Sequence, residues 1–164
     1  MRYSALIFFL CIVPLSAMDM KPDPSRVDPE VTLQQIDGNV WMHTGFCRFD
    51  FGPCPSHGIV AVGKKGIVVI DTQWNDAQTK ILLDRIEKRF GKKVVLAVVT
   101  HAHADKIGGI KTLTGRGIRV VSTKAIADSA EKNGYLRPEA AVTENPHQFN
   151  VEGIRFEVFF PGAA

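Results

Sequence analysis

The 164-residue sequence lacks several features that would assign it to common functional classes. It contains only three cysteines, two tryptophans and two tyrosines, and its 20 Lys and Arg nearly balance its 17 Asp and Glu. A net charge of +3, scattered along the chain, is too mild to indicate a nucleic-acid partner. There are no internal repeats, and no segment is long and apolar enough to span a bilayer. These absences indicate an ordinary globular protein with a core of its own.

The first seventeen residues have the layout of a secretory signal peptide. Met1 and Arg2 give a positive start, residues 5–15 are almost entirely apolar, and Ser16 and Ala17 supply the small residues of a cleavage site. The apolar run is shorter than the roughly 20 residues that a membrane anchor needs. We therefore expect a periplasmic or secreted protein that does not associate with the membrane once the signal is removed.

Removal of that signal would leave two cysteines, Cys47 and Cys54. In an oxidising compartment such a pair can form a disulfide, provided that the fold brings the two Cα atoms within about 7 Å. Two free thiols are equally compatible with the sequence. Metal binding by the pair is disfavoured, because the spacing is not C-x-x-C. The sequence therefore leaves the disulfide open.

The remaining pattern divides into an extended leader, residues 18–30, and an α/β domain that occupies residues 31–164. Apolar runs predict strands over residues 31–36, 40–44, 58–62 and 67–70, whereas residues 46–56, with two prolines, are typical of an exposed loop. From Asp76 the apolar spacing changes to three or four, which predicts an amphipathic helix that ends at Gly91. Further predicted elements are a buried strand (94–99), helices (105–113 and 123–133), strands (118–121 and 154–160) and an irregular segment (138–150). Hairpins followed by helix–strand alternation predict a layered α/β domain.

The most informative segment follows the predicted strand 94–99. Two histidines, His101 and His103, stand two residues apart, Asp105 follows after two more, and Gly108 and Gly109 come next. Imidazole nitrogen and carboxylate oxygen are zinc ligands, and a loop between a strand and a helix can direct both rings at one ion. Each residue alone would more often be an ordinary surface or capping residue. The group in this order favours a metal site, with the two glycines allowing close backbone contact.

This segment resembles the H-x-H-x-D-x-x-G-G signature of the metallo-β-lactamase superfamily. Other segments follow in the order of that family, and together they extend from residue 31 to the end: 39–45, 55–60, 66–72, Gly117 with Ser122 and Thr123, and 158–162. The resemblance is closest to the first subclass of the class B β-lactamases, which are di-zinc enzymes. It implies an αβ/βα sandwich, a mixed sheet with flanking helices, of which this chain would contain the first half.

The resemblance also implies roles for individual residues. His101 and His103 would bind the first of two Zn²⁺ ions, and Asp105 would bind the second and orient the catalytic hydroxide. Asp71 resembles a carboxylate that steadies the ligand loop, although a simple turn aspartate is an equal alternative. Three aromatic residues lie where the family has a substrate flap, and they could equally stabilise a hairpin: Phe46, Phe49 and Phe51. His43, His57 and His147 have no metal-like spacing, and we expect them to be surface or packed histidines.

Lys106 separates the candidate activities within the superfamily. Thioesterases and lactonases of this fold usually carry a second histidine directly after the aspartate, whereas a protonated lysine has no lone pair to offer a metal. The resemblance therefore implies hydrolysis of small-molecule β-lactams (penicillins, cephalosporins and carbapenems), and hence antibiotic resistance, by a protein that we expect to be a monomer.

The chain departs from the family at its end. In the family, a histidine that completes the first zinc site follows the segment equivalent to residues 160–164, and the later cysteine and histidine ligands are also missing here. We therefore expect the 164-residue chain alone to be inactive and poorly folded. The alternatives are another hydrolase of the same superfamily, of the thioesterase or lactonase type, and an inactive truncated remnant.

Overall fold

The computed structural model describes residues 22–160, which form one large mixed sheet with helices on one face and a small hairpin on the other. The signal-peptide prediction and the segment 161–164 lie outside these residues. After a short 3-10 helix, Pro24–Arg26, the strands are β1 (Val27–Asp37), β2 (Val40–Phe49), β3 (Gly52–Val62), β4 (Gly66–Ile70), β5 (Lys93–Val98), β6 (Arg119–Thr123), β7 (Glu139–Val142), β8 (His147–Val151) and β9 (Ile154–Val158). The helices are α1 (Asp76–Phe90), α2 (Ala104–Ile107), α3 (Ile110–Gly115) and α4 (Lys124–Lys132). None of the described helices is long and apolar enough to cross a membrane.

The seven strands of the large sheet follow chain order from β1 to β7. The β1–β4 half is antiparallel and consists of hairpins, whereas β4, β5, β6 and β7 run parallel. Parallel neighbours need crossover connections, which α1, the α2–α3 segment and α4 supply. The carboxyl ends of the parallel strands therefore lie at one edge of the sheet, together with the loops that follow them.

Strand β4 shows why the apolar runs are nearly continuous. Ile67 and Val69 belong to the helix-covered core, and Val68 between them packs on the opposite face. That second face is covered by the β8–β9 hairpin, through residues such as Phe149 and Phe156. A strand buried on both faces has no polar side to mark its period, and β4 lies where the apolar run 67–70 predicted a strand.

Helix α1 also matches its prediction. The Asn75 side chain accepts a hydrogen bond from Gln78 N at 2.8 Å and caps the first turn, and Gly91 ends the helix in a left-handed conformation with φ 63°. Leu82, Leu83 and Ile86 are completely buried against the sheet.

Three predicted segments differ in the structure. Residues 46–56, expected to be an exposed loop, continue β2 and β3 as a long hairpin that turns at Asp50 and Phe51. The helix expected over residues 105–113 is divided into α2 and α3 at Gly108 and Gly109. The segment 138–150, expected to be irregular, contains β7 and the start of β8. In addition, β1 begins at Val27, inside the expected leader.

Candidate metal site

The candidate metal ligands lie on the segment that joins β5 to α2, which we call the ligand loop (residues 100–105). His101 and His103 are exposed, whereas the intervening Ala102 is buried. His103 stands at the N-cap of α2, and Asp105 is half-buried in the first turn of that helix. The alternation of exposed and buried positions presents the two imidazoles to solvent while the loop remains packed on the sheet.

Asp71 anchors the start of the ligand loop. Its carboxylate accepts a hydrogen bond from Thr100 N at 2.8 Å and one from the Thr100 hydroxyl, whose Oγ1 lies 2.9 Å from Oδ1 and 2.8 Å from Oδ2. Burial raises the pKa of Asp71 to about 6, and the bonds from Thr100 and the charge of Lys106 oppose this rise. Asp71 also has φ of 64°, a left-handed conformation that is uncommon for a residue with a side chain. The structure therefore places the Asp71 carboxylate in contact with Thr100, the residue that precedes His101, and these hydrogen bonds hold the start of the loop.

The two loop histidines lie side by side. Their ring centroids are 6.0 Å apart and their planes differ by 20°. Thr100 Oγ1 lies 3.1 Å from His101 Nδ1, so that one ring nitrogen has a protein partner. Burial, followed by the nearby His103 and Lys106, lowers the pKa of His101. The neutral imidazole, which is the form that binds metal, is therefore favoured at neutral pH.

Lys106 and two buried hydroxyl residues hold the segment around Asp105. Lys106 Nζ lies 3.3 Å from Asp105 Oδ2 and donates a hydrogen bond to the His57 carbonyl at 2.8 Å. The Ser56 hydroxyl donates to the Asp105 carbonyl at 2.5 Å, and Thr72 N donates to the Lys106 carbonyl at 2.7 Å. Through these contacts, β3 and the segment after β4 hold the backbone of Asp105 and Lys106.

Sequence reasoning assigned no role to Ser56, Thr72 or Thr100. Ser56 and Thr72 belong to segments that the family resemblance covers, and Thr100 adjoins its signature. The sequence therefore marked these positions but not the contacts that the three residues make. Their contacts join residues far apart in the chain, 49 positions for Ser56 and Asp105, and no local pattern could have revealed them.

The glycines after the signature permit close packing, as predicted. A Cβ atom at Gly108 would overlap the Trp74 carbonyl, and one at Gly109 would overlap the Thr79 side chain. Gly109 N also donates to Thr72 Oγ1 at 3.1 Å. The helices that follow the ligand loop therefore lie against the segment after β4 and the start of α1.

The three candidate flap residues lie on the end of the β2–β3 hairpin, residues 46–56, which we call the hairpin tip. Phe49 and Phe51 are stacked with centroids 5.3 Å apart, and Phe49 makes an edge contact with Trp74 at 5.6 Å. Phe49 packs beside Ala104 of the ligand loop, and Phe51 is 72% exposed. Strand alternation places Phe46 on the opposite face from its neighbour Cys47, which contacts Trp74 and Ala104. The structure thus brings Phe49 close to the ligand loop, with Phe51 stacked on it, but not Phe46.

The other histidines have protein partners and neighbours of their own. His43 is completely buried between Gln73 Nε2, 2.5 Å from its Nδ1, and the Ile70 carbonyl, 3.3 Å from its Nε2. Burial lowers the pKa of His43 to about 4. His57 Nδ1 lies 2.9 Å from Thr44 Oγ1, and His147 packs beside Phe149.

The donor set of the ligand loop fits part of a zinc site. Two adjacent imidazoles and a carboxylate are suitable ligand types. Among residues 22–160, however, no group of three or more His, Cys, Asp or Glu side chains lies close enough to hold a metal ion. His101, His103 and Asp105 alone therefore do not form a closed site.

The mixed sheet and the His-x-His-x-Asp loop at the end of β5 define an α/β protein with a candidate metal-binding loop. The sequence profile of the metallo-β-lactamase superfamily matches residues 51–163. The chain therefore belongs to the metallo-β-lactamase superfamily.

Individual relatives agree with this assignment. The chain is 40% identical to a metallo-β-lactamase type 2 of Bacillus cereus over 132 residues, which are 80% of this chain and 51% of that protein. It is 31% identical to one of Elizabethkingia meningoseptica over 159 residues, 96% of this chain and 61% of that protein. The structure is similar to a metallo-β-lactamase from Pontibacter korlensis, with a TM-score of 0.76, 32% identity, and coverage of 81% of this chain and 61% of that one. The chain thus spans about half to three fifths of the length of these relatives.

Proposed function

We propose that the complete protein is a zinc-dependent β-lactamase that hydrolyses the amide bond of penicillins, cephalosporins and carbapenems and thereby confers antibiotic resistance. The observation that carries the proposal is the ligand loop, in which adjacent His101 and His103 rings and Asp105 lie at the carboxyl end of β5. Membership of the superfamily and relatives named metallo-β-lactamases support it.

In this proposal His101 and His103 hold the first of two Zn²⁺ ions, and Asp105 holds the second. When bound, zinc would lower the pKa of a coordinated water and polarise the substrate carbonyl. The chain's own residues keep the ligands in place. Asp71 fixes Thr100 before His101, while Ser56 and Lys106 fix the backbone and carboxylate of Asp105. Residues that hydrogen-bond to a metal ligand set the orientation of that ligand and the metal affinity of the site.

The identity of residue 106 favours a β-lactam over the thioester and lactone substrates of other superfamily members. The Lys106 ammonium is already committed to the Asp105 carboxylate and the His57 carbonyl. It cannot serve as the extra imidazole ligand that those hydrolases use, so a second ion would need its remaining ligands from outside the ligand loop.

The 164-residue polypeptide expressed alone is expected to be inactive. Two imidazoles and one carboxylate fall short of the three or four ligands in one cluster that hold zinc firmly. We further propose that the complete protein is exported and acts as a monomer on a small-molecule substrate.

The proposal is tested by zinc removal and by ligand substitution in the complete gene product. Treatment with EDTA should abolish carbapenem and penicillin hydrolysis, and added Zn²⁺ should restore it. His101→Ala and Asp105→Asn should each lower kcat/KM by more than about 100-fold, with fewer equivalents of bound zinc by elemental analysis.

The matched controls are His147→Ala and Asp128→Asn, since His147 lies on β8 and Asp128 on the exposed side of α4. Both should retain activity and zinc. Hydrolysis that survives complete zinc removal would refute the metal assignment. Turnover of thioesters or lactones without turnover of β-lactams would instead support the alternative hydrolase.

A further inference from the structure

Cys47 and Cys54 stand directly opposite each other in the β2–β3 ladder. The register pairs Cys47 with Cys54, flanked by Phe46 with Pro55 and Arg48 with Pro53. Directly opposite residues of an antiparallel pair have Cα atoms about 4.5 to 5.5 Å apart. Disulfides join residues whose Cα atoms are about 4.4 to 6.8 Å apart. The register therefore meets the distance requirement that the sequence left open.

The two side chains also share one face of the hairpin. Cys47, which is completely buried, belongs to a cluster with Trp74 and Ala104, and Cys54 packs against the same cluster. Opposite residues of a ladder project to the same side of a sheet. Both thiols are free in the structure. Among residues 18–164 the sequence contains no cysteine besides Cys47 and Cys54.

We propose that Cys47 and Cys54 form a cross-strand disulfide that locks the hairpin tip when the protein meets an oxidising environment. Each thiol loses its proton, and a bond forms between the two Sγ atoms. The two electrons and two protons pass to a disulfide oxidant, such as oxidised glutathione, whose own S–S bond is cleaved to two thiols.

The bond would act on a part of the fold that shares an apolar cluster with the ligand loop. It closes a loop that contains Phe49 and Phe51, and it lies beside Ala104, between His103 and Asp105. The oxidised form therefore ties β2 to β3 below the turn, whereas the reduced form leaves the two strands of the tip joined by their ladder and side-chain contacts. This inference does not depend on the substrate.

Peptide mapping tests the bond directly, because Arg48 lies between the two cysteines. Trypsin cuts after Arg26, Arg48 and Lys64, and so separates peptide 27–48 from peptide 49–64. The purified complete gene product, folded and with its signal removed, is incubated with oxidised glutathione, denatured in an alkylating agent and digested without reductant. We expect the two peptides to run as one linked species that separates on reduction. Recovery of two separate alkylated peptides, or of glutathione adducts or links between chains, would overturn the proposal.

Limited proteolysis with chymotrypsin tests the effect on the hairpin tip. In the oxidised wild type, addition of reductant should raise the rate of cleavage after Phe49 and Phe51 by roughly tenfold. Cys54→Ser, which keeps the buried Cys47 intact, should be cleaved at the fast rate with and without reductant. Equal cleavage of oxidised and reduced wild type would show that the bond does not restrain the tip.

Discussion

The ligand loop and the hairpin tip meet in the apolar cluster that contains Cys47, Trp74 and Ala104 and at the Ser56–Asp105 hydrogen bond, but different interactions hold the rest of each. The ligand loop and the adjoining Lys106 are tied by hydrogen bonds from two segments, from β3 through Ser56 and from the segment after β4 through Asp71 and Thr72. The hairpin tip is held by its own ladder, by stacked Phe49 and Phe51, by packing on Trp74, by an ion pair of Asp50 with Arg26, and at its base by the Ser56 bond to Asp105. The exposed candidate ligands His101 and His103 thus stand on a backbone that buried polar groups fix, whereas the exposed aromatic residues stand near the turn of a hairpin.

This difference shows that the fold tolerates destabilising features where they position the backbone of the ligand loop. Asp71 is a buried carboxyl in a left-handed conformation, and both features are costly for a folded protein. They persist because Thr100 satisfies the carboxylate and thereby sets the residue before His101. The hairpin tip carries no comparable cost, so substitutions there should affect contacts with a ligand more than stability.

Asp71→Ala should have the largest effect on stability. It removes the acceptor of the Thr100 N–H and leaves a residue with a Cβ at φ of 64°. The free energy of unfolding of the complete protein should fall by about 2 to 4 kcal/mol, measured by denaturant titration. Zinc binding should weaken in parallel, because the ligand loop loses its anchor.

Asp71→Asn is the informative partner variant, since asparagine tolerates the left-handed conformation and keeps an acceptor oxygen. Its loss should be about 1 kcal/mol. Asp128→Asn, which removes an exposed carboxylate paired with Lys124 and Arg137, should lower the free energy of unfolding far less than Asp71→Ala does, because exposed ion pairs contribute little. If Asp71→Ala were as mild as Asp128→Asn, the anchoring role would be wrong.

The second prediction concerns pH. The pKa of Asp71 is about 6 in the folded protein, above the value of about 3.9 for an unfolded aspartate. The stability that its protonation contributes is therefore fully present below about pH 4 and lost as the pH rises through 6. The difference in unfolding free energy between zinc-free wild type and Asp71→Asn should grow as the pH falls from 6 to 4. The slope should be at most about 1.4 kcal/mol per pH unit.

The buried His43 acts in the opposite sense. Its folded pKa of about 4 lies below the usual 6.5, chiefly through burial and further through the charges of Lys106 and His57, so it costs stability as the pH falls. This contribution is common to both proteins and cancels in the difference. A difference that stays constant from pH 6 to 4 would show that Asp71 does not titrate as the structure indicates.

Phe51→Ala should have the smallest effect on stability. Its side chain is 72% exposed and stacks only on Phe49, so the free energy of unfolding should change by less than about 1 kcal/mol. If the hairpin tip contacts the substrate, KM for a β-lactam should rise about fivefold, the equivalent of about 1 kcal/mol of lost contact, with kcat retained. Ile36→Ala, exposed at the end of β1, is the control and should leave KM unchanged. An unchanged KM for Phe51→Ala would favour the purely structural reading of this residue.

Much of the fold could be predicted because its signals are local. The apolar runs of β4 and β5, the periodicity of α1, and the cap residues Asn75 and Gly91 each depend on near neighbours in the chain. The same is true of the ligand loop, since His101, His103 and Asp105 lie within five residues between a strand and a helix.

The segment 46–56 was predicted incorrectly as a loop because it contains Pro53 and Pro55. Proline weakens a strand when its missing N–H faces a partner strand. Here β4 pairs with β3 only over residues 59–62, so the prolines lie where β3 has β2 as its partner in the sheet and the other side is open. Strand β3 therefore tolerates the two prolines because its pairing with β4 does not extend to them.

Sequence alone determined the class of domain, the family and the candidate zinc ligands, because each is written in residue types and short spacings. Only the tertiary structure decided what fixes those ligands, which residues of the hairpin tip approach them, and that Cys47 lies opposite Cys54. These depend on contacts such as those of Asp71 with Thr100 and Ser56 with Asp105, which are 29 and 49 residues apart in the chain. Such contacts arise from strand register and from the packing of loops at one sheet edge, and no local pattern of residues encodes either.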